Sequence, residues 1–196
     1  MMQGSNLKFS DVAKAANDFL ISYHPSLSLP IPIEKIVEHK MDISLFAIPN
    51  IKSLLGIDAF ISADFTQLTV DEDCFTRFPE RTRFSIAHEI GHLVLHKEWY
   101  TNCGPKDLAD YLNFPDRTDN QVYKYIEIQA HTFAGLVLVP KDLLLNELRK
   151  RLGRIPSMEL PEILAPVVQD LPEIFKVSDA VILRRLQKEG VLKNNS

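Results

Sequence analysis

The chain has 196 residues, is 45% hydrophobic and 24% charged, and carries a formal net charge of −4. Such a length and composition suit one globular domain, or one with a small appendage, and provide enough apolar residues for a core. The acidic balance disfavours non-specific nucleic-acid binding as the main role.

No apolar run reaches the length of a membrane span, and the first eight residues contain no apolar signal core. The two cysteines, Cys74 and Cys103, form neither a framework nor a CxxC pair, so free thiols in a reducing cytoplasm are expected. Neither repeats nor low-complexity blocks interrupt the chain.

Taken in order, Val12, Ala15, Ala16, Phe19 and Leu20 follow helical spacing and predict an amphipathic helix over 11–22, with Ser10 as N-cap. Ile33, Ile36 and Val37 suggest a short second helix after the extended Pro30-Ile31-Pro32 connection. Three strand candidates follow at 43–48, 56–62 and 67–70, the last two separated by a polar turn around Asp64; they read as a small, mainly antiparallel sheet. A helix is predicted over 79–96.

The stretch 97–124 is long and weakly patterned, with one short helix near 106–112. Long loops of this kind often serve as lids or binding loops. A buried helix over 122–139 ends at Pro140, and another follows over 141–152. Three short helices close the chain, with Pro161 and Pro172 suited to first turns, Ser178 to an N-cap and Gly190 to a stop. Their rhythm resembles a helix-turn-helix. Given the acidic balance, a helical cap or protein-docking surface is favoured over DNA binding. The domain reading is 1–155 for the main body and 156–196 for the helical segment.

The helix over 79–96 carries His88-Glu89-Ile90-Gly91-His92, an H-E-x-x-H pattern. Residues four apart share a helix face, so the two imidazoles converge on one point. Neutral imidazole is a good zinc ligand, and the intervening Glu can hold and deprotonate a water without ligating. Gly91 costs helix propensity and suggests close packing by a strand or a substrate.

A catalytic zinc site wants three protein ligands and an open position. Glu127 is the best third ligand, because it opens a small-residue stripe with Ala130 and Ala134 that lets two helices approach; Asp116 and Asp119 are competitors. Glu98 is too near in sequence to turn back, and Glu147 lies past Pro140. His131 and His96 are candidates for hydrogen bonding to a ligand or for steadying an oxyanion, with a structural role as the alternative. Tyr123 and Tyr125 could also offer a phenol.

Two stretches carry a family resemblance. Arg83-Phe84-Ser85-Ile86-Ala87-His88-Glu89-Ile90-Gly91-His92-Leu93-Val94-Leu95-His96 resembles the active-site signature of the ImmA/IrrE-type metallopeptidases. The stretch from Glu127 to Pro140 resembles that family's second signature, E-x-x-A-N-x-F-A ending in Leu-x-x-Pro. The similarity covers about 10–155.

This resemblance implies an α+β, gluzincin-like (zincin) fold, with His88, His92 and Glu127 as zinc ligands and Glu89 as general base. Zn2+ is the implied cofactor, with Mn2+ or Fe2+ compatible with the same donor set. It further implies cleavage of a separately encoded helix-turn-helix repressor that controls mobile-element or stress-response genes. The family usually has Asn where this chain has His131, and its 97–124 connection is usually shorter. Two alternatives to an endopeptidase are a non-cleaving zincin-like scaffold that binds a repressor and a DNA-binding regulator that uses the C-terminal helices.

Overall fold

The computed structural model describes residues 7–112 and 120–192. Helix α1 (Phe9–Tyr23) buries Val12, Ala16, Phe19 and Leu20, as the spacing requires. It begins before Ser10: the Lys8 backbone N–H donates to Asp11 Oδ2 at 2.9 Å, so Asp11, rather than a hydroxyl at Ser10, organises the first turn. Helix α2 (Ile33–Lys40) buries Ile33, Ile36 and Val37.

Strands β1 (Ser44–Ile48), β2 (Ala59–Ile61) and β3 (Gln67–Asp71) form one sheet in the order β1-β3-β2. The sheet is mixed rather than mainly antiparallel. β2 and β3 pair antiparallel across the Asp64 turn, whereas β1 and β3 run parallel. The physical reason is helix α3 (Ile51–Leu55), which returns the chain past the central position so that β3 inserts between its predecessors. β2 is therefore an edge strand.

The Asp71 carboxylate ends the sheet, accepting from the Cys74 N–H, which starts helix α4 (Glu72–Arg77), and from the Lys52 N–H, both at 3.0 Å. Helix α5 (Pro79–Cys103) follows, with proline in its first turn and non-helical dihedrals at His96 (φ −127°, ψ 19°). The break falls where the sequence pattern ends, and the helical path resumes beyond it. A short helix α6 (Leu108–Tyr111) precedes α7 (Asn120–Leu138) and α8 (Lys141–Leu152).

The remaining elements are α9 (Pro161–Val168), α10 (Leu171–Phe175) and α11 (Asp179–Lys188), ended by Gly190 at φ 69°. Helices α1, α5 and α7 enclose the core, where Ile86, Ile90, Ile126, Phe133 and Val137 are fully buried. Gly91 lets α5 and α7 meet: a Cβ there would lie 3.0 Å from Ala130 Cα and 3.1 Å from Ala130 O. The close neighbour is thus the second helix itself, not a strand or a substrate.

Two buried arginines fix the C-terminal helices. Arg83 of α5 donates to the Lys176 carbonyl, to Glu34 and to the Ile31 carbonyl. Arg185 of α11 donates to the Val139 carbonyl at the end of α7 and to Glu189. Cys74 and Cys103 are free thiols. No helix among the described residues is long and apolar enough to cross a membrane.

Candidate metal centre

His88 and His92 lie one turn apart on α5, and Glu127 faces them from α7. His88 Nε2 and His92 Nε2 are 3.1 Å apart; Glu127 Oε2 is 3.2 Å from the first, and Oε1 3.3 Å from the second. Two ligands bound at about 2.05 Å with tetrahedral angles sit about 3.3 Å apart, so the three separations match those expected around one ion. Among the described residues this is the group whose donor atoms converge so as to hold a metal. The chemistry of the donor set fits as well: two facing imidazole nitrogens and a carboxylate are best reconciled by a cation between them.

The electrostatics agree. Burial opposes ionisation of Glu127, but hydrogen bonds from His88 and His92 outweigh it and hold the carboxyl well below its ordinary range. Burial pulls His88 down, yet Glu127 and Glu89 together raise it. Burial wins at His92, which is lowered.

Glu89 is buried beside the pair and does not join the convergent group. Its Oε2 accepts the Ile61 N–H of edge strand β2 at 3.2 Å. Burial pushes its carboxyl up to about 8, against the pull of His88 and the Ile61 N–H, while repulsion from Glu127 adds to the rise.

The cleft has a volume of about 290 Å³, and its walls include Ala59, His88, Tyr100, Tyr123 and His131. Asp58 O and Ser62 N bond to β3, so Ala59 and Ile61, lying between in the pleat, direct their backbone groups away from β3. Of these outward groups the Ile61 N–H is bonded to Glu89, and those of Ala59 have no backbone partner among the described residues, so β2 presents an edge beside His88 and Glu89.

The other sequence candidates divide. His96 lies behind His92, with the two Nδ1 atoms 3.3 Å apart, and its Nε2 is 2.8 Å from Gln129 Oε1. His131 lies on the cleft wall against Phe84, with ring centroids 4.6 Å apart and 6.3 Å from the His88 ring. Tyr123 lines the cleft, whereas Tyr125 is exposed. Glu147 is engaged by Lys150 and Arg151 on α8, and Glu98 is exposed. Asp116 and Asp119 lie outside the described residues. Most of the expected 97–124 connection is helical rather than a long loop: α5 continues to Cys103, α6 follows, and α7 starts at Asn120.

Sequence reasoning missed Tyr100, Tyr111 and Gln129. Gln129 left a trace: it is a polar residue on the apolar stripe of Ile126, Ala130 and Phe133. Tyr111 packs edge-on against Phe60 of β2 at 5.7 Å and has no local signature.

The model of the IrrE N-terminal-like domain, Peptidase_M78, matches residues 77–187. The chain belongs to this family. IrrE N-terminal-like membership points to a metallopeptidase-type function, and the match includes both helices that carry the convergent His88, His92 and Glu127 group. It begins later and ends later than the 10–155 stretch of the sequence resemblance, so α9 to α11 lie mostly within it. No curated protein matches the chain.

Proposed function

We propose that the protein is a zinc-dependent endopeptidase of the cytoplasm that cuts a peptide bond in a regulatory protein, a separately encoded helix-turn-helix repressor being the first candidate. His88, His92 and Glu127 are the metal ligands and Glu89 is the general base. The observation that carries the reading is the near-tetrahedral separation of the three donor atoms, with a second carboxylate, Glu89, buried alongside but outside the ligand set.

A zinc ion held there supplies Lewis acidity, polarising a carbonyl and lowering the pKa of water to about 7. The protein does the rest. The β2 edge receives an extended peptide by strand addition through the outward backbone groups of Ala59. Glu89 Oε1 takes the proton of the attacking water and later passes it to the leaving amine. The Ile61 N–H holds Oε2 and so aims the free oxygen into the cleft. His131, on the wall, is positioned to meet charge developing on the substrate oxygen; His96 acts on His92 from behind. The body 1–155 is the catalytic unit, and 156–196 completes its substrate-facing side.

The test incubates the zinc-loaded protein with the repressor encoded by a neighbouring reading frame, with and without a chelator, alongside Glu89→Gln. Cleavage that needs both metal and Glu89 supports the proposal. A Glu89→Gln protein that binds zinc and keeps the full biological effect would instead identify a non-cleaving scaffold.

A further inference from the structure

A second cavity of about 420 Å³ adjoins the metal cleft and shares Asp58, Phe84, Ser85 and His131 with it. Phe9, Phe84, Ala180, Val181 and Gly135 give it apolar walls. Its charges do not balance. Asp58 is taken by Arg81 and Lys52, and buried Arg185 by Glu189. Glu80 then faces two exposed cations of α11, Arg184 and Lys188, which have no carboxylate partner among the described residues.

The cationic side of the helix-turn-helix-like segment therefore borders the cleft. Arg184 is also close enough to contribute to lowering His131, after burial, so its charge reaches the cleft wall.

We propose that this cavity is the specificity subsite of the peptidase, taking a large apolar side chain next to the scissile bond, with Arg184 and Lys188 receiving an acidic residue that follows it. The inference rests on the peptidase reading above. Two observations support the occupant: the cavity shares the Asp58, Phe84, Ser85 and His131 wall with the cleft, and its net positive rim is complementary to a carboxylate. A volume in this range suits a bulky side chain. An extended peptide on β2 delivers side chains alternately to the two sides, so one residue can enter while its neighbour lies across the rim. The same geometry gives the cations of α11 a role in substrate selection rather than in nucleic-acid binding.

The test uses the full chain loaded with zinc and succinyl hydroxamates, HONH–CO–CH2–CH(R)–CO–Xaa, whose affinity does not depend on turnover. R is benzyl or methyl, and Xaa is Asp or Lys. Benzyl should bind at least about ten-fold tighter than methyl, and Asp about five-fold tighter than Lys. Arg184→Glu should reverse the Asp-over-Lys preference while keeping the preference for benzyl. Arg149→Glu, on the exposed side of α8, should leave both unchanged. A melting curve shows that each variant is folded.

Equal binding of all four compounds would remove the subsite and leave the metal centre standing. Failure of every hydroxamate to bind zinc-loaded protein would remove the metal-centre reading and the subsite with it. Salt-dependent binding to a mixed-sequence DNA duplex that Arg184→Glu abolishes, with hydroxamate preferences unaltered, would assign α11 to nucleic acid and overturn the proposal.

Discussion

Gln129 Oε1 accepts from His96 Nε2 at 2.8 Å, and this contact sets, through His96, the tautomer of His92, one of the proposed metal ligands. The Gln129 amide nitrogen donates to the Leu7 carbonyl at 3.3 Å, which turns its oxygen towards His96. His96 Nε2 must then carry the hydrogen, and its Nδ1 is the acceptor. His92 Nδ1, 3.3 Å away, donates to it. The Nε2 lone pair of His92 is thereby left facing His88 and Glu127. Burial holds His96 down at about 4, so the ring is neutral at pH 7, as the chain of bonds requires.

Removing either partner should therefore loosen the metal without touching a ligand. Gln129→Leu and His96→Phe are expected to weaken zinc binding by about 10- to 100-fold, the usual range for groups that orient a ligating histidine. Competition with a calibrated chelator reads this directly. An unchanged affinity in both variants would mean that packing against Tyr100, whose ring is 5.1 Å from that of His92, suffices to orient it.

Gly91→Ala tests the approach of α5 and α7. Alanine is better than glycine in a helix interior by about 1 kcal/mol. Here the added Cβ would meet backbone atoms of Ala130 at 3.0 and 3.1 Å, and backbone does not yield as a side-chain tip does. Overpacking should dominate, with a net loss of about 1 to 3 kcal/mol in denaturant unfolding. Zinc affinity should fall in parallel, because Glu127 moves with α7. A more stable variant would show that the interface has slack.

Much of this was legible in the chain. The two histidines on one helix face, the small-residue stripe beside Glu127 and the prolines opening α9 and α10 are local signals, and local signals determine helices. The β1–β3 pairing was not legible, because strand order depends on where α3 sends the chain, and nothing in Ser44–Ile48 records its partner. The sequence marks His96 as a candidate for bonding to a ligand but does not separate it from a merely buried histidine, and it does not single out Gln129 at all; the contacts of Gln129 to His96 and to Leu7 O tell the two readings of His96 apart. The helix-turn-helix rhythm of the C-terminal segment leaves DNA binding open behind the favoured cap or docking surface, because sequence does not show which cavity α11 borders.

Glu89 should mark the pH dependence of the metal-free protein. Its carboxyl is raised to about 8 by burial, from an ordinary unfolded value near 4.5. A group raised in the folded state contributes stability that is fully present below its unfolded pKa and is lost as pH climbs through the folded one. In chelator-treated protein, the wild type should lose melting temperature relative to Glu89→Gln between pH 4.5 and about 8. The difference isolates Glu89 from His88 and His92, which titrate in both proteins. Parallel curves for the two proteins would show that Glu89 is ionised in the empty site.

Arg83 ties α2, α5 and the end of α10 together, and its loss should be felt by the C-terminal helices first. It is 8% exposed, binds both Glu34 oxygens at 2.9 and 3.2 Å, and reaches the Lys176 carbonyl at 3.1 Å, which ends α10. Arg83→Met leaves the Lys176 carbonyl without this donor and Glu34 without its cation, at a cost of about 2 to 3 kcal/mol, reduced because Glu34 keeps some water. Arg83→Lys should recover little, since one ammonium nitrogen cannot replace three that separately reach Glu34, the Lys176 carbonyl and the Ile31 carbonyl. Hydrogen exchange separates this from a general loss of stability: amides of α10 and α11 should lose protection while those around Ile86 and Ile90 keep theirs. Uniform loss across both regions would show that the segment beyond residue 155 unfolds together with the metal helices rather than ahead of them.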